Sequence, residues 1–313
     1  MFKIDQSSFL STKLVGLNMY FDEMVDLYDK NLFPNVLMLS GKKGIGKSTL
    51  AFHFLNYIFS KKEKIKYNKK DKIINTDSNF YISILKNTCT DVVFLQAEEG
   101  KNIRIEDIRN LKSVLSRSTL SDNPRFTIID EVEFLNANSI NALLKTLEEP
   151  NKNNFFILIN NQQADLIKTI SSRCLKNNIY LNVKQQENVN NYLVENKKLK
   201  PLIDYSNDLT PGLLIKYNDI FNKYKIDNND NIKTNINKLL YAYKKDKNKA
   251  LINLSIHLIN QFFYKQVKND FDKIHFLLNL KSFIINKIND FILYNLNINS
   301  VLSSIELKLN NVR

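Results

Sequence analysis

Residues 41–49 read GKKGIGKST, and no other stretch of this chain restricts its fold so tightly. Gly41, Gly44 and Gly46 are three of only six glycines in 313 residues. Glycine lets a backbone turn sharply and aim several N–H groups at one oxyanion. The spacing Gly41-x4-Gly46-Lys47-Ser48, continued by Thr49, is that of a phosphate-binding loop. Such a loop needs a strand before it and a helix after it. Val36–Ser40 is a short apolar run suited to a buried strand, and Leu50, Phe54, Leu55 and Ile58 recur at helical spacing to about residue 60. The helix start adds the positive end of its dipole. In that setting Lys47 reaches the terminal phosphates of a nucleotide, and the Ser48 hydroxyl ligates Mg²⁺.

Residues 1–178 read as an α/β unit. Apolar runs at 35–39, 91–95, 126–129 and 155–159 are four buried-strand candidates, separated by amphipathic stretches. That alternation implies a parallel sheet covered by helices. Ile105, Ile108, Leu111 and Leu115 predict one helix. Ile140, Leu143, Leu144 and Leu147 predict another, capped by Asn138 or Ser139 and ending before Pro150. Residues 179–222 are polar and broken by Pro201 and Pro211-Gly212, which suggests a small helical domain. Residues 230–313 contain neither Gly nor Pro and carry broad apolar helical stripes, so 223–313 reads as an all-helical third domain.

The strand 126–129 ends in Asp130-Glu131. In a P-loop protein a carboxylate at the end of a neighbouring strand holds Mg²⁺, which makes Asp130 the candidate. Glu131 is placed to orient or deprotonate an attacking water. The run 155–159 leads into Asn160-Asn161, where Asn161 is a candidate sensor of the γ-phosphate, although Asn is also a common turn residue.

Composition bounds the rest. The net charge of +13 suggests a polyanionic partner. Only six of the 45 cationic residues are arginine, however, and the abundance of Lys, Asn and Ile matches coding bias from an AT-rich genome. Much of the charge, including KKEKIKYNKKDK at 61–72, is then plain solvated surface. Cys89 and Cys174 form neither a disulfide framework nor a four-cysteine zinc site, and three scattered histidines add no metal cluster. No apolar run approaches the ~20 residues of a membrane span, and the N-terminus lacks a signal peptide's apolar block. A reduced cytoplasm is the expected compartment.

NALLKTLEEP at 141–150 and ILINNQQADLIKTISSRC at 157–174, with Ser172-Arg173-Cys174, resemble the AAA+ clamp-loader subunits of replicative DNA polymerases. LQAEEGKNIRIEDIRNL at 95–111 looks most like the delta-prime type of bacterial DNA polymerase III. The resemblance implies an AAA+ P-loop parallel sheet flanked by helices, a small helical lid and an all-helical collar. It implies ATP or ADP with Mg²⁺ as ligands. The implied partners are gamma/tau and delta subunits in a heteropentamer, the sliding clamp, and primer–template DNA through the assembled complex. It also implies that Arg173 acts in trans on a neighbour's ATP site. Two departures stand out. The four-cysteine zinc module that many relatives carry between the loop and the acidic strand is absent or metal-free, since only Cys89 lies there. The lid stretch LTPGLLIKY at 209–217 offers Lys216 where active subunits carry a sensor arginine, and lysine cannot form a bidentate fork on phosphate. A nucleotide-binding subunit with weak or absent turnover is therefore expected. The alternatives are a fully active gamma-type or archaeal-style small subunit and, from another class, a small-molecule kinase, which scarce arginine disfavours.

Overall fold

The computed structural model describes residues 11–96, 103–116, 123–150, 153–166, 168–197, 199, 209–227 and 230–309. Part of the 95–111 segment, most of the polar cluster at 116–123, and Pro201 lie outside the described residues. The chain gathers into two compact units, one of residues 1–189 with 210–212, the other of 190–209 with 213–313.

The first unit is a three-layer α/β sandwich. Five parallel strands, β1 (Val36–Ser40), β2 (Val92–Gln96), β3 (Arg125–Asp130), β4 (Asn154–Asn160) and β5 (Leu175–Asn178), lie in the order β2-β3-β4-β1-β5. Successive side chains in a strand point to opposite faces, so each strand feeds both layers. Leu37 and Leu39 of β1 join the layer built on α1 (Asn18–Asp29), α2 (Lys47–Ser60) and α3 (Asn79–Leu85). Val36 and Met38 join the other, built on α4 (Ile105–Leu115), α5 (Ala137–Glu148) and the short α6 (Lys168–Ser171). Phe33, Phe54, Phe126 and Phe155 stack and cross beneath the first layer, with Phe33–Phe54 centroids 4.8 Å apart and Phe126–Phe155 5.1 Å apart. Pairs of this kind add about 0.5–1.5 kcal/mol beyond their buried area.

Four strands fall where the apolar runs place them. The fifth, β5, reads LKNN and is mostly exposed. It is an edge strand, held by backbone pairing to β1 with little side-chain burial, so it carries no apolar signature. The cap of α5 is Asn136, whose side chain accepts from Ser139 N–H at 2.8 Å, rather than Asn138 or Ser139. The helix begins one turn earlier than its apolar stripe. Buried Arg125 opens β3 and donates to the carbonyls of Val114 and Leu115 at the end of α4.

The lysine-rich stretch 61–72 is partly neutralised inside its own unit. Asp22, Asp26 and Asp29 share one face of α1, and they pair with Lys72 (2.5 Å), Lys69 (3.9 Å) and Lys61. The second unit packs α9 (Ile232–Asp246), α10 (Lys249–Asn269), α11 (Ile274–Leu293) and α12 (Ile298–Leu309) as successive neighbours, with α12 returning against α9. Leu239, Leu240, Leu251, Leu254, Ile259, Ile284 and Ile288 fill its interior. Helices α7 (Val183–Lys197) and α8 (Pro211–Tyr224) lie between sheet and bundle in sequence. No helix among the described residues is long and apolar enough to cross a membrane.

One buried group gives the first unit a pH dependence. The His53 ring is fully buried; Nε2 lies 2.9 Å from Ser11 O and Nδ1 2.9 Å from the Tyr67 hydroxyl. A carbonyl only accepts, so Nε2 carries the proton and Nδ1 accepts from Tyr67. Burial lowers the His53 pKa from 6.5 to about 4, against a smaller upward pull from the Ser11 carbonyl. Between those values the unfolded chain binds a proton that the native chain does not. The contribution of neutral His53 is therefore complete above pH 6.5 and is lost as pH falls toward 4, at up to about 1.4 kcal/mol per unit. Urea midpoints measured from pH 7.5 to 5 should fall in the wild type, and His53→Gln should flatten that slope.

Candidate nucleotide site

The loop between β1 and α2 forms as its glycines require. Gly46 caps α2 with φ +100°, a left-handed conformation that other residues adopt only under strain. Gly41 has no room for a side chain, because a Cβ there would lie 2.2 Å from Ile179 O and 2.9 Å from Ile45 Cδ1. Its N–H donates to Asn160 O at 3.1 Å, which joins the loop to the end of β4. Gly44 also has positive φ, +84°.

Lys47 opens α2 and is 2% exposed. Its ammonium donates to Gly41 O at 2.7 Å and Lys42 O at 2.8 Å, which curls the loop around it. Burial lowers its pKa from 10.5 to about 8; Asp130 and Glu133 pull it upward, and Lys43 adds to the fall. Ser48 follows, its hydroxyl donating to Asp130 Oδ2 at 2.7 Å. Thr49 is half-buried on the same turn.

Strand order sets the opposite wall. Because β4 lies between β1 and β3, its end is delivered between the loop and the acidic strand. Asn161 Nδ2 donates to Asp130 Oδ1 at 3.1 Å, and Asp130 Oδ1 also accepts from Glu131 N–H at 2.8 Å. Burial pushes the Asp130 carboxyl pKa up, and the charge of Glu131 adds to this; the Ser48, Glu131 N–H and Asn161 donors pull it back. Lys47, Ser48, Asp130 and Asn161 are thus gathered at the C-terminal ends of β1, β3 and β4, where open parallel sheets bind ligands. A hydroxyl and a carboxylate in contact suit a hard, hydrated cation such as Mg²⁺, and the glycine-rich loop with a buried ammonium suits phosphate. The donor set fits a magnesium-bound nucleotide.

Two sequence candidates stand apart from that cluster. Glu131 has a left-handed backbone, φ 59° and ψ 46°, and its Oε1 accepts from Lys43 Nζ at 2.5 Å. Arg173 follows α6; its Nε donates to Glu148 Oε1 at 2.5 Å, and its Nη1 to Thr169 O at 2.9 Å and Ser172 Oγ at 3.2 Å.

Lys43 and Glu133 went unmarked in the sequence. Glu133 is buried, and its carboxylate accepts the N–H of Asn161 at 3.0 and 3.2 Å, fixing the loop after β4. A third acid within four residues of Asp130 was its only signal. Among the described residues no group of three or more His, Cys, Asp or Glu side chains is arranged to hold a metal ion.

The parallel order with the P-loop on β1 and the acids on β3 defines the AAA+ class of nucleotide-binding folds. The chain belongs to the DNA polymerase III delta subunit family, whose model matches residues 18–185. The delta′ subunit of DNA polymerase III from Buchnera aphidicola subsp. Baizongia pistaciae is 28% identical over 190 residues, which cover 56% of this chain and 53% of that protein. The gamma subunit from Buchnera aphidicola subsp. Schizaphis graminum is 26% identical over 219 residues, covering 62% and 54%. The chain therefore spans about half the length of these curated relatives. A Thermotoga maritima DNA polymerase III gamma subunit-related protein has a TM-score of 0.45 at 16% identity, covering 95% of this chain and 98% of that one.

The Gly41 contact gives a direct check on the loop. Gly41→Ala drives a methyl group into a backbone carbonyl, so it should cost about 1–3 kcal/mol in chemical denaturation. Lys42→Ala, at an exposed position that accepts from Lys47 through its carbonyl, should stay within about 0.5 kcal/mol of wild type.

Proposed function

We propose that the chain is a delta-prime-type clamp-loader subunit that binds ATP or ADP with Mg²⁺ and completes a neighbouring subunit's ATP site with Arg173. The observation that carries the nucleotide half is the meeting of Lys47, Ser48, Asp130 and Asn161 at three strand ends. Lys47 and the loop N–H groups hold the phosphates. Ser48 and Asp130 hold the cation, which supplies charge neutralisation on the phosphate oxygens. Asn161 is positioned by Glu133 to contact the terminal phosphate. Turnover is low, because Lys216 stands where an arginine would be needed to fork onto phosphate.

The family match and the named relatives support a DNA polymerase III assembly with gamma/tau and delta subunits as the setting; within the proposal, that complex handles the sliding clamp and primer–template DNA. Three parts within it are proposed: a base of residues 1–178, a lid of 179–222 and a collar of 223–313. The gamma-type relatives keep a fully active ATPase as the second reading.

Calorimetry tests the nucleotide half. Lys47→Ala should abolish detectable binding of magnesium nucleotide while the fold stays intact. In the wild type, phosphate binds the protonated Lys47 ammonium. Affinity should be flat well below pH 8 and should weaken by up to about tenfold per unit above it. No binding at millimolar nucleotide would remove this function.

Arg173 carries the other half. Its surface pair with Glu148 is worth only about 0–1 kcal/mol, so releasing it toward a neighbour costs little. Arg173→Ala should leave this chain's own nucleotide affinity unchanged. It should lower DNA-stimulated ATPase and clamp loading in the reconstituted complex, and Arg173→Lys should fail nearly as badly, because ammonium lacks the planar fork. Clamp loading at the wild-type rate with alanine at 173 would end the trans-acting role.

A further inference from the structure

The P-loop contributes one more side chain to the site than its motif requires. Lys43 Nζ lies 2.5 Å from Glu131 Oε1, and the Glu131 side chain is 8% exposed against 47% for Lys43. Both ends of the pair are fixed. On the loop side, Thr210 Oγ1 donates to Lys43 O at 2.9 Å and Gly212 N–H donates to Gly44 O at 2.7 Å. Residues 210–212 belong to the same compact unit as the loop. On the strand side, the left-handed turn at Glu131 sends Glu131 away from its two acidic neighbours. Asp130 goes to Ser48 and Asn161, Glu133 to the N–H of Asn161, and Glu131 to Lys43.

We propose that Lys43 is a positioning residue that holds Glu131 against the outer side of the loop and so suppresses hydrolysis of bound ATP. This rests on the nucleotide function proposed above and adds a cause of low turnover independent of the lid. In hydrolysis, the water oxygen forms a bond to the γ-phosphorus while the bridging bond to ADP breaks. The water proton passes to a base, here the Glu131 carboxylate, and ADP and inorganic phosphate leave. A carboxylate whose Oε1 already accepts from an ammonium must break that charge-assisted bond before it can turn to the water. With the Lys43 end half exposed, one such bond corresponds to up to roughly fivefold in rate.

The test uses the full chain. Steady-state ATPase is measured at saturating magnesium ATP, with binding followed separately by calorimetry. Lys43→Met keeps the length of the side chain and removes its charge, so kcat should rise by up to about fivefold. Lys43→Met combined with Glu131→Gln should fall to the level of Glu131→Gln alone, as it must if the gain runs through the Glu131 carboxylate. Lys43→Arg keeps a cation within reach and should stay slow. An unchanged or lower kcat in Lys43→Met, with ATP still bound, would overturn the restraint and leave nucleotide binding standing. Failure of wild-type chain to bind magnesium ATP would instead remove the function on which the restraint rests.

Discussion

The first unit is organised by the position of β4 between β1 and β3. Were the acidic strand next to the loop strand, Asp130 and Ser48 could meet with nothing between the strands. The intervening strand forces a third element to end at the same level: the register pairs Ser40 with Asn160 on one side and Ile159 with Asp130 on the other. Asn161 is then carried past the ends of the strands, where its Nδ2 donates to Asp130 Oδ1. Three polar strand ends packed so closely would be costly to bury unless each satisfied another. The hydrogen bonds among Ser48, Asp130, Asn161 and Glu133 supply that satisfaction.

The electrostatics follow from burial. Lys47 and Asp130 are both nearly inaccessible, and burial drives the ammonium pKa down and the carboxyl pKa up, each toward its neutral form. Hydrogen bonds and opposite charges oppose that drift without cancelling it. A site left in this condition favours a ligand that brings its own countercharges, an anionic phosphate for Lys47 and a cation for Asp130. The loop and the strand end are therefore complementary to a cation–phosphate pair more than to either ion alone.

How much of this the sequence revealed depends on what each feature is made of. The loop was legible because glycine at fixed spacing has a steric cause, and four strands were legible because burial on both faces leaves continuous apolar runs. The helical C-terminal block was legible from its stripes and its lack of Gly and Pro. The edge strand β5 was not, since LKNN is held by backbone pairing that any side chain permits. Lys43 was hidden for a different reason. It fills a variable position of the motif, and its partner lies 88 residues away. Glu133 looked like one more acid in a turn, and only the fold brings it to the N–H of Asn161. Local patterns report periodicity and backbone geometry; a single charge pairing across the fold has neither.

The chain's cation usage bears on Arg173. Lysine supplies nearly all of the positive charge, and several lysines at 61–72 meet the acidic face of α1 as point charges in solvent. Arg125 is buried, and its Nη1 reaches two successive carbonyls at the end of a helix, much as the Lys47 ammonium does in the loop. Arg173 differs from both. It engages a carboxylate, a carbonyl and a hydroxyl from one planar head. Unlike Arg125 it is substantially exposed, with a third of its side chain open to solvent. A fork pre-shaped by its neighbours yet facing outward is poorly explained by the stability of this chain, to which an exposed pair contributes little. The trans-acting role proposed for it would bring an anion from outside, on which a planar multi-donor head already held in one orientation loses less entropy than a lysine would.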